Sequence, residues 1–180
     1  MKINKTFIED LLIIEPQLFK DERGFFYESY NKNNLDKIIN IVFVQDNESK
    51  SNKGVIRGLH FQKPPYAQTK LIRCISGSIL DVAVDLRKNS KTYGKSFSVE
   101  LSSENNKQLL VPKGFAHGFQ VLSETAIVNY KVDGFHNPDS DSGLIWNDKD
   151  LLIDWNLDLK PILSSKDLKL KSFKNLKSPF

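Results

Sequence analysis

"ILDVAVDLR", Ile79 to Arg87, alternates without a break: Leu80, Val82, Val84 and Leu86 share one face of an extended chain, and Asp81, Ala83, Asp85 and Arg87 share the other. A period of two marks a β-strand, because successive side chains leave opposite faces. The pattern continues outward on both sides. Downstream lie "KSFSVEL" (95–101), with Phe97, Val99 and Leu101 in register, then "QLLVP" (108–112) and "AIVNYKV" (126–132). Upstream lie "IVFVQDN" (41–47), "VIRGLHFQ" (55–62) and "KLIRCI" (70–75). Between them stand turn-forming runs such as "KPPY", "KNSKTYGK", "SSENNK" and "PKG". Short strands at regular spacing with no long helix between them predict an all-β antiparallel sandwich, a jelly roll or double-stranded β-helix. Two peripheral helices are expected, over "NKNNLDKII" (31–39) and "SSKDLKLKSF" (164–173). No repeat or linker divides the 180 residues, so 1–180 reads as a single domain ending in a basic segment from about residue 164.

Composition narrows the function classes. Hydrophobic residues at 39% and charged residues at 27% are those of a soluble globular chain, and no apolar run reaches the roughly 20 residues a membrane span needs. The N-terminal apolar patch is broken by Glu9, Asp10 and Glu15, unlike a signal peptide, and the expected location is the cytoplasm. The lone Cys74 forbids an intrachain disulfide and, within an alternating strand, reads as a core thiol. The net charge of +4 comes from residues 160–180, where six lysines face Asp167 alone. A tail of this kind without interleaved aromatics is a solvated surface, so no nucleic-acid partner is expected. Arginine occurs only as Arg23, Arg57, Arg73 and Arg87 among 26 basic residues, which suggests bidentate contacts where it is used.

"VIRGLHFQ" places Arg57, Gly58 and His60 where a sheet core would hold aliphatic residues. The chain has three histidines, His60, His117 and His136, the number a metal-binding cupin would use. Such a fold pairs two histidines two apart on one strand, but "GLHFQ" has Gln62 at the second place. "PKGFAHGF" keeps the later Pro-x-Gly-x-x-His pattern, so the scaffold signature persists without its cage and no metal is expected. His60 and His117 then become candidates for proton transfer. Lys70 and Asp81 on neighbouring strands add charge that a sheet interior tolerates only when paired or facing a charged ligand. By strand parity Arg57 and His60 point to opposite faces, unless a bulge at Gly58 turns both inward. Parity puts Gln45 and Asn47 on one face, and sets the Tyr130 hydroxyl apart among Ala126, Val128 and Val132.

"FKDERGFFYESYN", "FVQDNESKS", "VIRGLHFQ", "AQTKLIRCISGSILDVAVDLRKNSKTYG", "SSENNKQLLVPKGFAHGFQVLSETA", "NYKV", "GLIWND", and "IDW" followed by "LSSKD" stand in one order across residues 15 to 167. In these blocks the chain resembles the dTDP-4-dehydrorhamnose 3,5-epimerase family. The resemblance implies a cofactor-independent, homodimeric, cupin-like enzyme that inverts C3 and C5 of a dTDP-4-keto-6-deoxy sugar for dTDP-L-rhamnose synthesis. It implies His60 as general base, oriented by Asp167, with Tyr130 as the opposing acid and Lys70 stabilising the enolate. Substrate contacts implied by the matching blocks are Arg23, Phe26, Glu28, Gln45, Asp46, Asn47, Arg57, His117 and Lys166, with Asp81 behind them. The pattern departs after "YK", where the family often carries paired tyrosines, one stacking on thymine. Here Phe135 and His136 stand at that place, and Asp141 where glutamate is common. A C3-only epimerase or a 3,4-ketoisomerase on the same sugar class is the alternative enzyme, and a non-catalytic sugar-binding jelly roll the alternative outside enzymes.

Overall fold

The computed structural model describes residues 1–157 and 160–180. Its strands are β1 (Lys2–Lys5), β2 (Leu12–Glu15), β3 (Phe19–Asp21), β4 (Gly24–Phe26), β5 (Gln45–Asn52), β6 (Ile56–Gln62) and β7 (Lys70–Ser76), then β8 (Ser78–Asp85), β9 (Ser96–Ser102), β10 (Gln108–Val111), β11 (Phe115–Val121), β12 (Thr125–Val132) and β13 (Asp141–Gly143). One sheet runs β1-β2-β10-β7-β12-β5 and a second runs β13-β6-β11-β8-β9, each antiparallel throughout. The two face each other as a jelly roll, and β3 with β4 forms a separate two-stranded arm.

The alternation of "ILDVAVDLR" is used on both sides of its sheet. Ile79 and Ala83 turn inward to meet Ile72, Cys74, Leu109 and Val128 of the facing sheet. Leu80, Val82, Val84 and Leu86 turn outward, where Leu151, Trp155, Leu163, Phe173, Leu176 and Phe180 cover them. The more apolar stripe therefore lies under the C-terminal chain. Asp81 shares the inward face and is fully buried. On the outer side of the other sheet, Leu35, Ile39 and Phe43 cover Ile14, Leu71 and Leu110.

Both expected helices are shorter in the structure. The first is α1 (Lys32–Leu35), capped by Asn31, whose side chain accepts from the Asn34 amide. Beyond it the chain turns to lay Ile39 and Phe43 across the sheet, which a continuing helix could not do. The second is a 3₁₀ turn, Asp167–Lys169, followed by a parallel bridge between Leu144 and Lys171 and another 3₁₀ turn, Phe173–Asn175. Here Asp167 is buried and Leu168 is 57% exposed, the reverse of what an amphipathic helix requires. Tertiary demand on Asp167 and Phe173 overrides the local spacing. β5 also begins late, at Gln45, leaving Val42 and Val44 exposed ahead of it.

Candidate active site

Gly58 resolves the parity conflict in β6. Along the β6–β11 ladder His60 lies opposite His117 and Arg57 opposite Phe119, so β6 spends one residue more than its partner over the same span. That extra residue bends the strand, and Gly58 adopts φ +115°, a region glycine enters without strain. A Cβ there would stand 2.6 Å from Gly118 Cα and 2.7 Å from the His117 carbonyl oxygen. With the bulge in place, Ile56, Leu59 and Phe61 pack outward, while Arg57 and His60 both line a cavity between the sheets.

The cavity has two lobes. An inner lobe of about 460 Å³ is bounded by Arg57, His117, Phe119 and Ile162. An outer lobe of about 220 Å³ is bounded by Gln45, Asn47, Gln68, His136 and Asp141. His60, Lys70, Tyr130 and Lys166 border both, so they form the waist where the lobes meet.

His60, Lys70 and Tyr130 each have their titration shifted by their surroundings. His60 Nε2 lies 2.7 Å from Asp167 Oδ1, and the Gly58 amide donates to Asp167 Oδ2 at 3.3 Å. The Asp167 amide in turn donates to Ser164 Oγ at 3.1 Å, which fixes the turn that carries the carboxylate. Burial lowers the imidazole's titration, Asp167 opposes that, and Lys70 and Lys166 reinforce it, so the net shift is downward. Burial brings the Lys70 ammonium down to about 8, against the opposing pull of Asp81 and Asp141. Its Nζ lies 3.5 Å from the His60 carbonyl oxygen. The Tyr130 phenol is raised by burial, with Arg57 pulling the other way, so it stays neutral and able to donate. On the inner floor, His117 Nε2 lies 2.5 Å from Asp81 Oδ1, both side chains buried. Arg57 Nε donates to the neutral Ser51 hydroxyl at 3.0 Å.

On the outer rim Lys166 pairs with Asp141, and His136 Nε2 sits 3.7 Å from the same carboxylate. Burial tends to raise the Asp141 carboxyl, but the hydrogen bond and charge of Lys166 outweigh it and hold it low. Gln45 Nε2 donates to Asn47 Oδ1 at 2.7 Å, as two side chains on one strand face should.

Four expected contacts, Asp46, Arg23, Phe26 and Glu28, lie away from the cleft of this chain. Asp46 points to the opposite face of β5 from Gln45 and Asn47 and pairs with Lys131 at 2.8 Å. Phe135 stands beside His136 on the rim and is 69% exposed. Arg23 sits at the exposed tip of the β3–β4 arm, paired with Asp21 at 2.5 Å, and Phe26 is 67% exposed beside it. Glu28 accepts from the side chains of Asn31 and Asn34, and lines a separate cavity of about 140 Å³. The sequence reading also missed Ser164 and Ser51, which hold Asp167 and Arg57. For Ser164 a signal exists: a serine three residues before an aspartate at the start of a turn is a capping pattern. For Ser51 nothing in the spacing indicates it. Among the described residues no three His, Cys, Asp or Glu side chains converge as a metal set.

A half-buried imidazole, an ammonium and a phenol thus meet in one cleft of an antiparallel jelly roll. The model of the family dTDP-4-dehydrorhamnose 3,5-epimerase matches residues 5–175. This chain belongs to that family. It is 52% identical over 172 residues to the dTDP-4-dehydrorhamnose 3,5-epimerase of Escherichia coli K12, covering 94% of this chain and 93% of the relative. The crystal structure of the same enzyme from Elizabethkingia anophelis superposes with a TM-score of 0.93 at 52% identity, covering 99% of this chain and 98% of the other. A Legionella pneumophila dTDP-6-deoxy-D-glucose-3,5-epimerase, solved in complex with dTDP-4-keto-L-rhamnose, superposes with a TM-score of 0.94 at 45% identity, covering 97% and 94%. In this epimerase-family chain the waist residues come from four different segments: His60 from β6, Lys70 from β7, Tyr130 from β12, and Lys166, next to Asp167, from the C-terminal cover.

Proposed function

We propose that the chain inverts C3 and C5 of dTDP-4-dehydro-6-deoxy-D-glucose without a cofactor, giving dTDP-4-dehydro-L-rhamnose for dTDP-L-rhamnose synthesis in the cytoplasm. The observation that carries the reading is the waist itself, where base, cation and neutral phenol border one cleft. A hydrogen beside a ketone is removable when the electron pair it leaves can move onto the carbonyl oxygen. His60, with Nε2 engaged by Asp167, keeps Nδ1 as its basic nitrogen and takes that hydrogen as a proton. Asp167 fixes the tautomer and stabilises the imidazolium that forms. The electron pair passes to the C4 oxygen, where Lys70 stabilises the enolate. Tyr130 then delivers its hydroxyl proton to carbon from the opposite face as the electron pair returns, and inversion results. The proton on His60 leaves to solvent and the phenolate regains one, so the chain ends as it began. Lys166, which borders both lobes, supplies a cationic donor for the diphosphate, and Arg57 a donor to the sugar end in the inner lobe. His136 and Phe135 offer rings to the base at the rim.

The test is proton exchange in deuterated water, followed by NMR. Wild-type protein should place deuterium at both C3 and C5. His60→Asn should abolish exchange at both, whereas Tyr130→Phe should keep exchange and lose inversion. Deuterium at C3 alone would mark a monoepimerase, carbonyl migration a ketoisomerase, and tight binding without exchange a non-catalytic module.

The reading extends to a homodimer. Arg23, Phe26 and Glu28 match the family's substrate contacts yet stand apart from this chain's own cleft. They lie on or beside an arm whose Phe19, Phe25 and Phe26 are each more than half exposed. An arm of this kind, seated against a second copy, buries three aromatic rings and brings a cation to the partner's cleft. Residues 1–180 then act as one catalytic unit whose site is completed by its twin.

A further inference from the structure

Gln62 stands two residues beyond His60 on β6, where a metal-binding cupin would hold its second histidine. It is 5% exposed, and its amide group is fully engaged with the backbone of two other segments. Nε2 donates to the Tyr66 carbonyl at 2.9 Å and to the Phe135 carbonyl at 3.4 Å, and Oε1 accepts from the Asn137 amide at 2.6 Å. Those segments reach the outer lobe through Gln68 and His136, and Gln62 itself borders it. One carries Tyr66; the other carries Phe135 and His136, and its far end is the 3₁₀ turn Pro138–Ser140 that leads into Asp141. A second glutamine, Gln68, reaches the same loop through Gly134, with Nε2 2.5 Å from its carbonyl oxygen.

We infer that Gln62 is a positioning residue for nucleotide binding, tying the rim loop of residues 134–137 to the strand that carries the base His60. This rests on the epimerase reading and adds to it a division of labour within β6. His60 faces the reacting carbon, and Gln62 fixes how far the outer lobe's rim stands from it. The chemistry of the clamp is specific to an amide. Two donors on one nitrogen meet two carbonyl oxygens, and one acceptor meets an N–H, which neither a carboxylate nor a thioether of the same length can reproduce. A substrate whose ketone must reach Lys70 extends through the waist into the outer lobe, so a displaced rim weakens the grip on the nucleotide end and leaves the waist in place.

The experiment measures kcat and KM for the 4-keto sugar nucleotide, and the Kd of dTDP by calorimetry, for the full chain and Gln62→Glu. Glutamate keeps the shape and the acceptor but turns a carboxylate oxygen toward two carbonyls. Because it also puts a charge on the lobe's lining, the uncharged Gln62→Met must show the same rise in KM and Kd for the clamp to stand. KM and the dTDP Kd should each rise about tenfold or more while kcat stays within about threefold, the pattern of lost uniform binding. Gln62→Asn keeps both donors on a shorter stem, serves if the glutamate variant does not fold, and should show the same split more weakly. Combining Gln62→Glu with His136→Ala should raise Kd less than the sum of the two single effects, since both act through one loop. A fall in kcat with KM unchanged, full additivity with His136→Ala, or an unchanged dTDP Kd would overturn the clamp. Failure of the epimerase reading is distinguishable: the wild type would then bind dTDP without exchanging solvent deuterium.

Discussion

In the proposed reaction His60 must be neutral to accept a proton and Lys70 must be charged to hold an enolate, so the two groups would bound the working pH from opposite sides. His60 titrates below the usual imidazole range because burial penalises its charged form more than Asp167 favours it. The acid limb of kcat/KM should therefore lie below pH 6.5, with activity lost as pH falls through it. Lys70 is brought down to about 8, so the basic limb should lie near there, with activity lost as pH rises. Lys70→Met should remove that limb and lower kcat at least about a hundredfold at neutral pH. A basic limb that persists in the variant would assign it to another group. Asp167→Asn keeps the shape and loses the charge, and kcat should drop by about 10² to 10⁴. At this scale the sequence displayed the proposed reacting groups through the resemblance, since His60, Lys70 and Tyr130 each stand in a distinctive block. It did not display their titration, which depends on how deeply neighbouring elements bury them.

The bulge in β6 is the element on which the site turns. Gly58 and Gly118 face each other so closely that a methyl group on the first would meet backbone atoms of the second strand, which cannot move aside as a side chain could. Gly58→Ala should destabilise the protein by about 2–4 kcal/mol, combining strain at positive φ with overpacking. It should also lower turnover, because relief of the clash unseats either Arg57 or His60. Gly134→Ala is the control. Its nearest neighbour would be Gln68 Cγ at 3.8 Å, and the change should fall within about 0.5 kcal/mol. Urea unfolding of the two variants decides the matter; equal destabilisation would remove the special status of the bulge. Strand parity made this element partly legible, because it exposed the conflict between Arg57 and His60 and pointed to Gly58. The helix expected at 164–173 was misread for a related reason. Its apolar spacing fits a helix locally, but the segment is drawn into extended and 3₁₀ backbone by Asp167 reaching His60 and by pairing of Leu144 with Lys171.

Across the whole molecule, the C-terminal chain both covers the outward apolar stripe of β8 and delivers Asp167 to the cleft, so one segment completes the core and the site. The proposed partner copy adds the arm. Sedimentation at micromolar concentration should give a dimer, and mixing inactive Arg23→Ala with inactive His60→Asn should restore part of the wild-type rate, since exchange creates some dimers with one intact site. Mixed samples that stay inactive after subunit exchange would place Arg23 in its own chain's cleft or outside the reaction. No helix among the described residues is long and apolar enough to cross a membrane. By itself the sequence determined the all-β architecture, because period-two alternation is a local property written in consecutive residues. It also determined the family, through ordered blocks that include His60, Lys70 and Tyr130. Only the tertiary structure decided which face of β8 looks inward, that Arg57 and His60 share a cavity, and that Asp46 and the arm lie away from it. The reason is distance along the chain. His60 and Asp167 are 107 positions apart, and no local pattern specifies a contact made only because a C-terminal segment lies over the outer face of the sheet.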